Sequence, residues 1–336
     1  MNAVNANTAI GTTATADIAL KTMAQTRTRV GRFAPSPTGG LHLGSLTTAV
    51  ASFLDARQAG GRWLLRIEDL DQPRIVAGAA DLIQRTLESL GLMWDGPVVY
   101  QSRRQSLYLD ALSVLTRQGL LYPCSCTRRD RGATDDAGGY PGTCRPKPMP
   151  TAIANQDQTQ PTAIRFRADL CPPPGPLEDR LFDRHDPRCA DATASGDPIV
   201  RRKDGLYAYQ LAVVVDDAEQ GVTDVVRGAD LWPSLLWQRS LQRALGVPPI
   251  LRYAHLPLVC EADGAKLSKS KRLIAAEAPG PSREPASELL WRVLTLLRQS
   301  PPSALNGAPI AEVSAWAIAN WRLHTLRGVT SLRADC

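Results

Sequence analysis

Apolar residues in the first third of the chain change period in a regular way. Arg29 to Phe33 alternates as a short strand, and Ala34-Pro35-Ser36-Pro37-Thr38-Gly39-Gly40 is a turn too rich in proline and glycine for helix or sheet. From Ser45 to Arg57 the apolar positions Leu46, Ala49, Val50, Phe53 and Leu54 recur at helical spacing, and Gly60-Gly61 ends the run. Trp63 to Ile67 is a compact apolar strand with Glu68, Asp69 and Asp71 at its C-terminal end. Helices are expected at 77–90 and 104–118, closed by Gly91 and Gly119. A strand–turn–helix–strand unit followed by helices predicts an α/β fold with a parallel sheet.

The texture changes between 119 and 199. Pro- and Asp-rich sequence dominates there, with one clear strand at Ala163 to Arg167. The α/β pattern resumes with Leu206 to Val215, Val222 to Val226, a helix from Ser234 to Leu245 and a strand near Leu256 to Val259. One sheet split by a small inserted domain accounts for this order. The expected organisation is a disordered tail at 1–29, catalytic halves at 30–118 and 200–275, the insertion at 119–199, and a short helical segment at 276–336. That last segment carries helices at 286–299 and 310–321, separated by Pro301-Pro302.

Length and composition narrow the class. A chain of 336 residues is long enough for about two domains and a cleft between them. Its apolar fraction of 43% is ordinary, and no run approaches the ~18 residues of a membrane span. A net charge of +6 permits a polyanionic partner such as RNA without demanding one. Of 39 basic residues only six are lysines, and three of these fall in Lys266-Leu267-Ser268-Lys269-Ser270-Lys271. Such clustering suits a point charge that must follow a moving phosphate. Seven cysteines, an odd number, do not make a disulfide framework. Cys124, Cys126 and Cys144 crowd into one stretch, with no secretory signal upstream, so the expected setting is reducing and cytoplasmic and the clustered thiols suggest a metal.

In an open parallel sheet, ligands bind outside the carboxyl ends of the strands, where a helix N-terminus offers N–H groups and a positive dipole to phosphate. The helix after the first turn starts within Leu41-His42-Leu43-Gly44-Ser45. Gly44 permits close backbone approach and His42 can donate to a nearby oxygen, although a lone histidine at such a position more often only caps the turn.

The His42-x-Gly44-Ser45 turn and the distant Lys266-Leu267-Ser268-Lys269-Ser270 together resemble the HIGH and KMSKS signatures of class I aminoacyl-tRNA synthetases. The segments Gly31 to Gly39, Arg66-Ile67-Glu68-Asp69 and Val225 to Asp230 resemble the glutamyl branch of that class. The likeness runs from about 30 to 275 and is nearest the glutamyl-queuosine tRNA(Asp) synthetases, because the 65 residues after Lys271 are too few for an anticodon-binding region. It implies a Rossmann-type catalytic domain, ATP with Mg²⁺, L-glutamate and tRNA(Asp) as partners, and a monomer with no protein partner. It further implies tRNA-independent formation of glutamyl-adenylate and transfer of glutamate to the queuosine base of the anticodon loop.

By the same resemblance Arg32, Phe33, Ala34, Pro35, Ser36, Glu68, Tyr209 and Arg227 surround the glutamate. His42, Gly44, Ser45, Lys266, Ser268 and Lys269 meet the nucleotide, and His42, Ser45 and Lys269 are the catalytic set. Chemistry agrees, since a dicarboxylic amino acid needs guanidinium forks for its carboxylates and an anion such as Glu68 for its ammonium. Ser45 replaces the second histidine of HIGH, which leaves open which group meets which oxygen. Three thiols need a fourth ligand for tetrahedral Zn²⁺: the resemblance nominates Tyr140, whereas Asp130, Asp135 or Asp136 would be a more usual oxygen donor. Such a site would be structural and would fold the insertion that faces the RNA. Arg128, Arg129, Arg131 and Arg145 flank it, and Asp69, Asp71, Asp216 and Asp217 have no assigned role. Other readings of the same residues are a minimal glutamyl-tRNA synthetase charging the tRNA 3′ end, a non-catalytic tRNA-binding module and a small-molecule adenylyltransferase.

Overall fold

The computed structural model describes residues 28–127, 130, 140, 142–146, 162–172, 178–182, 196–261 and 285–333. Lys266, Ser268, Lys269, Arg128, Arg129, Arg131, Asp135 and Asp136 lie outside the described residues, as does nearly all of the expected tail.

Strand β1 (Val30–Phe33), helix α1 (Leu43–Gln58) and strand β2 (Arg62–Ile67) form the anticipated unit. The helix begins two residues before the expected Ser45 because His42 caps it. A Cβ on Gly31 would lie 3.2 Å from Ala56 Cβ, so glycine lets β1 lie tightly against α1. Helix α2 (Ala79–Ser89), strand β3 (Val99–Tyr100) and helix α3 (Gln105–Arg117) follow. β1, β2 and β3 pair in parallel, with Val30 opposite Arg62 and Arg66 opposite Val99.

Strands β4 (Leu121–Cys124), β5 (Ala163–Phe166) and β6 (Ile199–Arg201) make an antiparallel sheet within the stretch where one strand was expected. β4 holds Pro123, which removes a ladder donor and weakened its pattern in the sequence, yet it sits at an edge where proline is tolerated. This sheet buries Leu121, Ile164, Phe166 and Val200 against Tyr108, Leu112 and Leu115 of α3 and against helix α4 (Tyr209–Glu219).

Strand β7 (Asp224–Gly228), helix α5 (Ser234–Leu245) and strand β8 (Arg252–Leu256) complete the parallel layer. The single strand expected near 256–259 is broken at Pro257 into β8 and β9 (Leu258–Cys260). Helices α6 (Ala286–Leu296) and α7 (Ile310–Asn320) pack on α1, and β10 (Ser331–Arg333), which no pattern announced, pairs with β9. β1 and β7 lie side by side, joined by the Thr223 N–H to Val30 O at 2.9 Å and the Val30 N–H to Thr223 Oγ1 at 2.9 Å. The chain reaches β7 only after the antiparallel sheet, so the carboxyl ends of β1 and β7 flank a topological switch point, where such sheets bind ligands. Among the described residues no helix is long and apolar enough to cross a membrane.

Beneath that crevice lies a sealed ion cluster. Arg66 of β2 is fully buried and meets Asp217 at 2.8 Å, Glu68 at 3.4 Å and Asp216 at 3.9 Å. Asp216 also takes Arg104 Nε at 2.6 Å, Tyr108 OH at 2.8 Å and Gln101 Nε2 at 2.7 Å. Removing one partner from such a cluster strands buried charge, which typically costs about 3–5 kcal/mol, whereas an exposed pair is worth at most ~1 kcal/mol. Asp216→Ala is therefore expected to lose several kcal/mol in urea unfolding, and Asp204→Ala, which breaks the half-exposed pair with Arg202, almost nothing. Equal losses in the two variants would contradict the role given to the cluster.

Candidate active site

A cleft of about 980 Å³ opens at the carboxyl ends of β1 and β7. Arg32, Phe33, Ala34, Pro35, Ser36, His42, Gly44, Ser45, Glu68, Tyr209 and Arg227 all line it. Every described residue anticipated for glutamate or nucleotide thus shares one cavity.

At the head of α1, His42 Nδ1 accepts the Ser45 N–H at 3.1 Å, which leaves the ring proton of the neutral imidazole on Nε2. Capping and ligand binding are therefore not rival readings of His42, since the cap sets the tautomer. Gly44 leaves that contact uncrowded, since a Cβ there would sit 3.1 Å from His42 Cε1 and the ring would have to shift. The Ser45 hydroxyl donates to His42 O at 2.8 Å. In that position it braces the cap and lines the cleft beside His42.

The charged residues are held from behind. Arg32, 4% exposed, gives Nε to Asp217 at 3.3 Å, its one hydrogen bond among the described residues. Arg227, 3% exposed, donates Nε to His255 Nε2 at 2.9 Å and a terminal nitrogen to Gln238 Oε1 at 2.7 Å. Burial pushes the Glu68 carboxyl up to about 7; Arg66 and Arg32 pull it down and Asp217 and Asp216 push it further up. Burial alone would raise Asp217 as well, but Arg32 and Arg66 outweigh it and hold that carboxylate below its usual range. Burial raises the Tyr209 phenol, so it stays protonated and can donate into the cleft.

Sequence reasoning missed Asp216, Asp217 and His255. A signal existed for the first two: an acidic pair directly after Val213-Val214-Val215 on a helix must meet buried cations. Asp71, Arg202, Tyr207 and Asp230 also line the cleft. Asp69, unassigned before, accepts the Ser102 N–H at 2.8 Å and its hydroxyl at 2.6 Å, fixing the loop after β3.

A second cluster lies at the end of β4. The sulfurs of Cys124, Cys126 and Cys144 lie within 4.8 Å of one another, close enough to share a metal ion. The Tyr140 hydroxyl sits 3.4 Å from Cys126 Sγ and accepts the Cys144 N–H at 2.9 Å. Asp130 turns elsewhere, accepting the Thr127 N–H and hydroxyl at 2.7 and 2.8 Å. Burial opposes ionisation of Cys144, but hydrogen bonds from Tyr140 and Cys126 outweigh it and lower the thiol to about 6. A cavity of about 710 Å³ lined by Cys124, Cys126, Arg165 and Lys203 adjoins this cluster and shares Asp71, Arg74 and Arg202 with the larger cleft.

The profile of the family described as tRNA synthetases class I (E and Q), catalytic domain, matches residues 28–303. The chain is 48% identical over 294 residues to the glutamyl-Q tRNA(Asp) synthetase of Ectopseudomonas mendocina, covering 87% of this chain and 92% of the relative. It is 49% identical over 303 residues to that of Thiobacillus denitrificans, covering 88% and 94%. Among solved structures, the glutamate-tRNA synthetase of Elizabethkingia anophelis superposes with a TM-score of 0.68 at 24% identity, covering 91% of this chain and 68% of that one. A glutamate tRNA ligase of Elizabethkingia meningosepticum gives 0.65 at 24%, covering 91% and 66%, so the chain spans about two thirds of either structure. At that identity the likeness establishes the fold.

Glu68 makes a testable statement about stability. Its folded pKa of about 7 lies above the 4.5 of an unperturbed glutamate, so the folded chain holds this proton more tightly than the unfolded one. The contribution is full below 4.5 and is lost as pH rises through about 7. Glu68→Gln, which cannot ionise, is expected to melt higher than the parent at pH 8 and to lose most of that advantage at pH 5, read by calorimetry. An advantage independent of pH would contradict the assignment.

Proposed function

This chain belongs to the glutamyl-Q tRNA(Asp) synthetases, within the class I tRNA synthetases (E and Q), and we propose that it activates L-glutamate with ATP and transfers it to the queuosine base of tRNA(Asp). It is an enzyme of the aminoacyl-tRNA synthetase type, a ligase. The observation that carries the reading is one cleft holding two backed guanidiniums, a carboxyl, a phenol and a capped helix N-terminus.

In this reading Arg32 and Arg227 take the substrate carboxylates, Glu68 the ammonium, and Tyr209 donates a hydrogen bond, while Phe33, Ala34, Pro35 and Ser36 form the wall. The α-carboxylate attacks the α-phosphorus of ATP, an O–P bond forms, the bond to the bridging oxygen breaks, and pyrophosphate leaves. Two anions must meet, so catalysis is positioning and charge neutralisation. His42, Gly44, Ser45 and the N-terminal end of α1 meet the nucleotide, with His42, Ser45 and Lys269 as the catalytic set. Lys266, Ser268 and Lys269 face the phosphates, with Lys269 on the departing pyrophosphate. Mg²⁺ would offset phosphate charge.

The three thiols and the Tyr140 hydroxyl suit tetrahedral Zn²⁺, a structural ion fastening the 119–199 insertion beside the RNA. A cytoplasmic monomer fits, since ATP, tRNA and reducing conditions meet there.

ATP–pyrophosphate exchange tests the reading. It should proceed with glutamate and without tRNA, and fail with aspartate or glutamine. Exchange only in the presence of tRNA(Glu) would point to a conventional synthetase charging the 3′ end, and no exchange at all would overturn the proposal. Lys269→Ala should lower the rate by ~10²–10³, the usual loss for one preorganised charge; an unchanged rate would remove Lys269 from the chemistry. Purified protein should contain about one zinc per chain by mass spectrometry, and chelation should lower its melting temperature.

A further inference from the structure

A group of buried polar side chains lies directly behind Arg227. His255 of β8 is wholly buried, and Phe182, Trp232 and Tyr253 surround its ring, with centroids 6.0, 5.0 and 6.2 Å away. Its Nδ1 lies 2.7 Å from Asp179 Oδ2, and its Nε2 accepts Arg227 Nε–H at 2.9 Å. A guanidinium can only donate, so Nε2 must be bare and the imidazole neutral with its proton on Nδ1, pointed at Asp179. Burial agrees, lowering the histidine to about 4.

Asp179 is itself locked. Oδ1 accepts the N–H groups of Leu181 and Phe182 at 2.8 and 3.1 Å, and Oδ2 also accepts the His255 N–H at 3.1 Å. The 178–182 strap that carries it is pinned by a bidentate pair from Arg180 to Asp55, at 2.6 and 2.8 Å, and by the Arg180 N–H to Tyr253 O at 2.9 Å. On its other side Arg227 reaches Gln238, whose amide continues to Gln210 at 3.0 Å.

We propose that Asp179 and His255 are positioning residues for glutamate specificity: the carboxylate fixes the imidazole tautomer, and the imidazole acceptor fixes the guanidinium plane of Arg227. The inference rests on Arg227 as a carboxylate partner of the substrate. Asp179→Asn distinguishes this from packing, because it preserves shape. With its oxygen retained by Leu181 and Phe182, the amide would turn its NH₂ toward two N–H groups of His255. The imidazole then relieves the clash by moving its proton to Nε2, where it opposes Arg227 Nε–H.

The test is glutamate and ATP kinetics by pyrophosphate exchange in Asp179→Asn, His255→Phe and His255→Gln, with melting temperatures as a control. Losing a charge-assisted hydrogen bond in a desolvated site predicts a rise in KM for glutamate of about tenfold to a hundredfold in Asp179→Asn and His255→Phe, with KM for ATP nearly unchanged. His255→Gln, which restores an acceptor, should recover much of the loss. Nitrogen-15 spectra of the four histidines should show one neutral ring protonated on Nδ1 in the parent, shifted to Nε2 in Asp179→Asn. Unchanged glutamate KM in Asp179→Asn and His255→Phe, alongside a raised KM in Arg227→Ala, would overturn the relay. Unchanged KM in Arg227→Ala would instead overturn the substrate assignment beneath it, and the specificity role with it.

Discussion

A guanidinium that cannot be deprotonated sits with no solvent exposure between β2 and α4, and much of the site follows from the need to neutralise it. Arg66 requires carboxylates within reach, and Asp216, Asp217 and Glu68 supply them from a helix and from the end of its own strand. Asp217 then has an oxygen to share with Arg32, which fixes that side chain at the mouth of β1. Glu68, compressed between the cluster and the cleft, lines the cleft with its carboxyl raised to about 7 by burial. Two of the groups proposed to bind glutamate, Arg32 and Glu68, are thus held by a cluster that also neutralises a buried arginine.

Much of this was legible in the sequence. The turn Ala34 to Gly40, the helix behind it and the strand ending at Ile67 are local patterns, and their punctuation by proline and glycine survives without tertiary context. Arg32, Glu68 and Arg227 were reachable through the resemblance of their motifs, with which the charge demand of a dicarboxylic amino acid agrees. What escaped is long-range. Asp216 and Asp217 pair with arginines more than 110 residues away, and the meaning of His255 depends on Asp179, supplied by a different segment. β4, β6 and β10 are short strands whose identity comes from their partners.

The thiol cluster and the catalytic cleft are neighbours in a physical sense, since Asp71, Arg74 and Arg202 line both cavities. Arg202 bridges Asp71, on the loop after β2, and Asp204, on the loop after β6. A change in how the antiparallel sheet sits would therefore be felt at the cleft through a few half-exposed ion pairs, weaker than the buried cluster beneath. The cleft is thus backed by a buried ion cluster and bordered, on the side of the thiols, by half-exposed ion pairs.

The proposed receptor for glutamate combines Arg32 and Glu68, presented by the cluster around Arg66, with Arg227, presented by His255 and Gln238. A crystal structure with L-glutamate bound tests this most directly. The account predicts the ammonium on Glu68, the carboxylates on Arg32 and Arg227, and the Tyr209 hydroxyl donating to the ligand, with Arg66 still sealed behind Asp216 and Asp217. Glutamate bound without contact to Glu68 and to both arginines, or bound only after the ion cluster has rearranged, would contradict it.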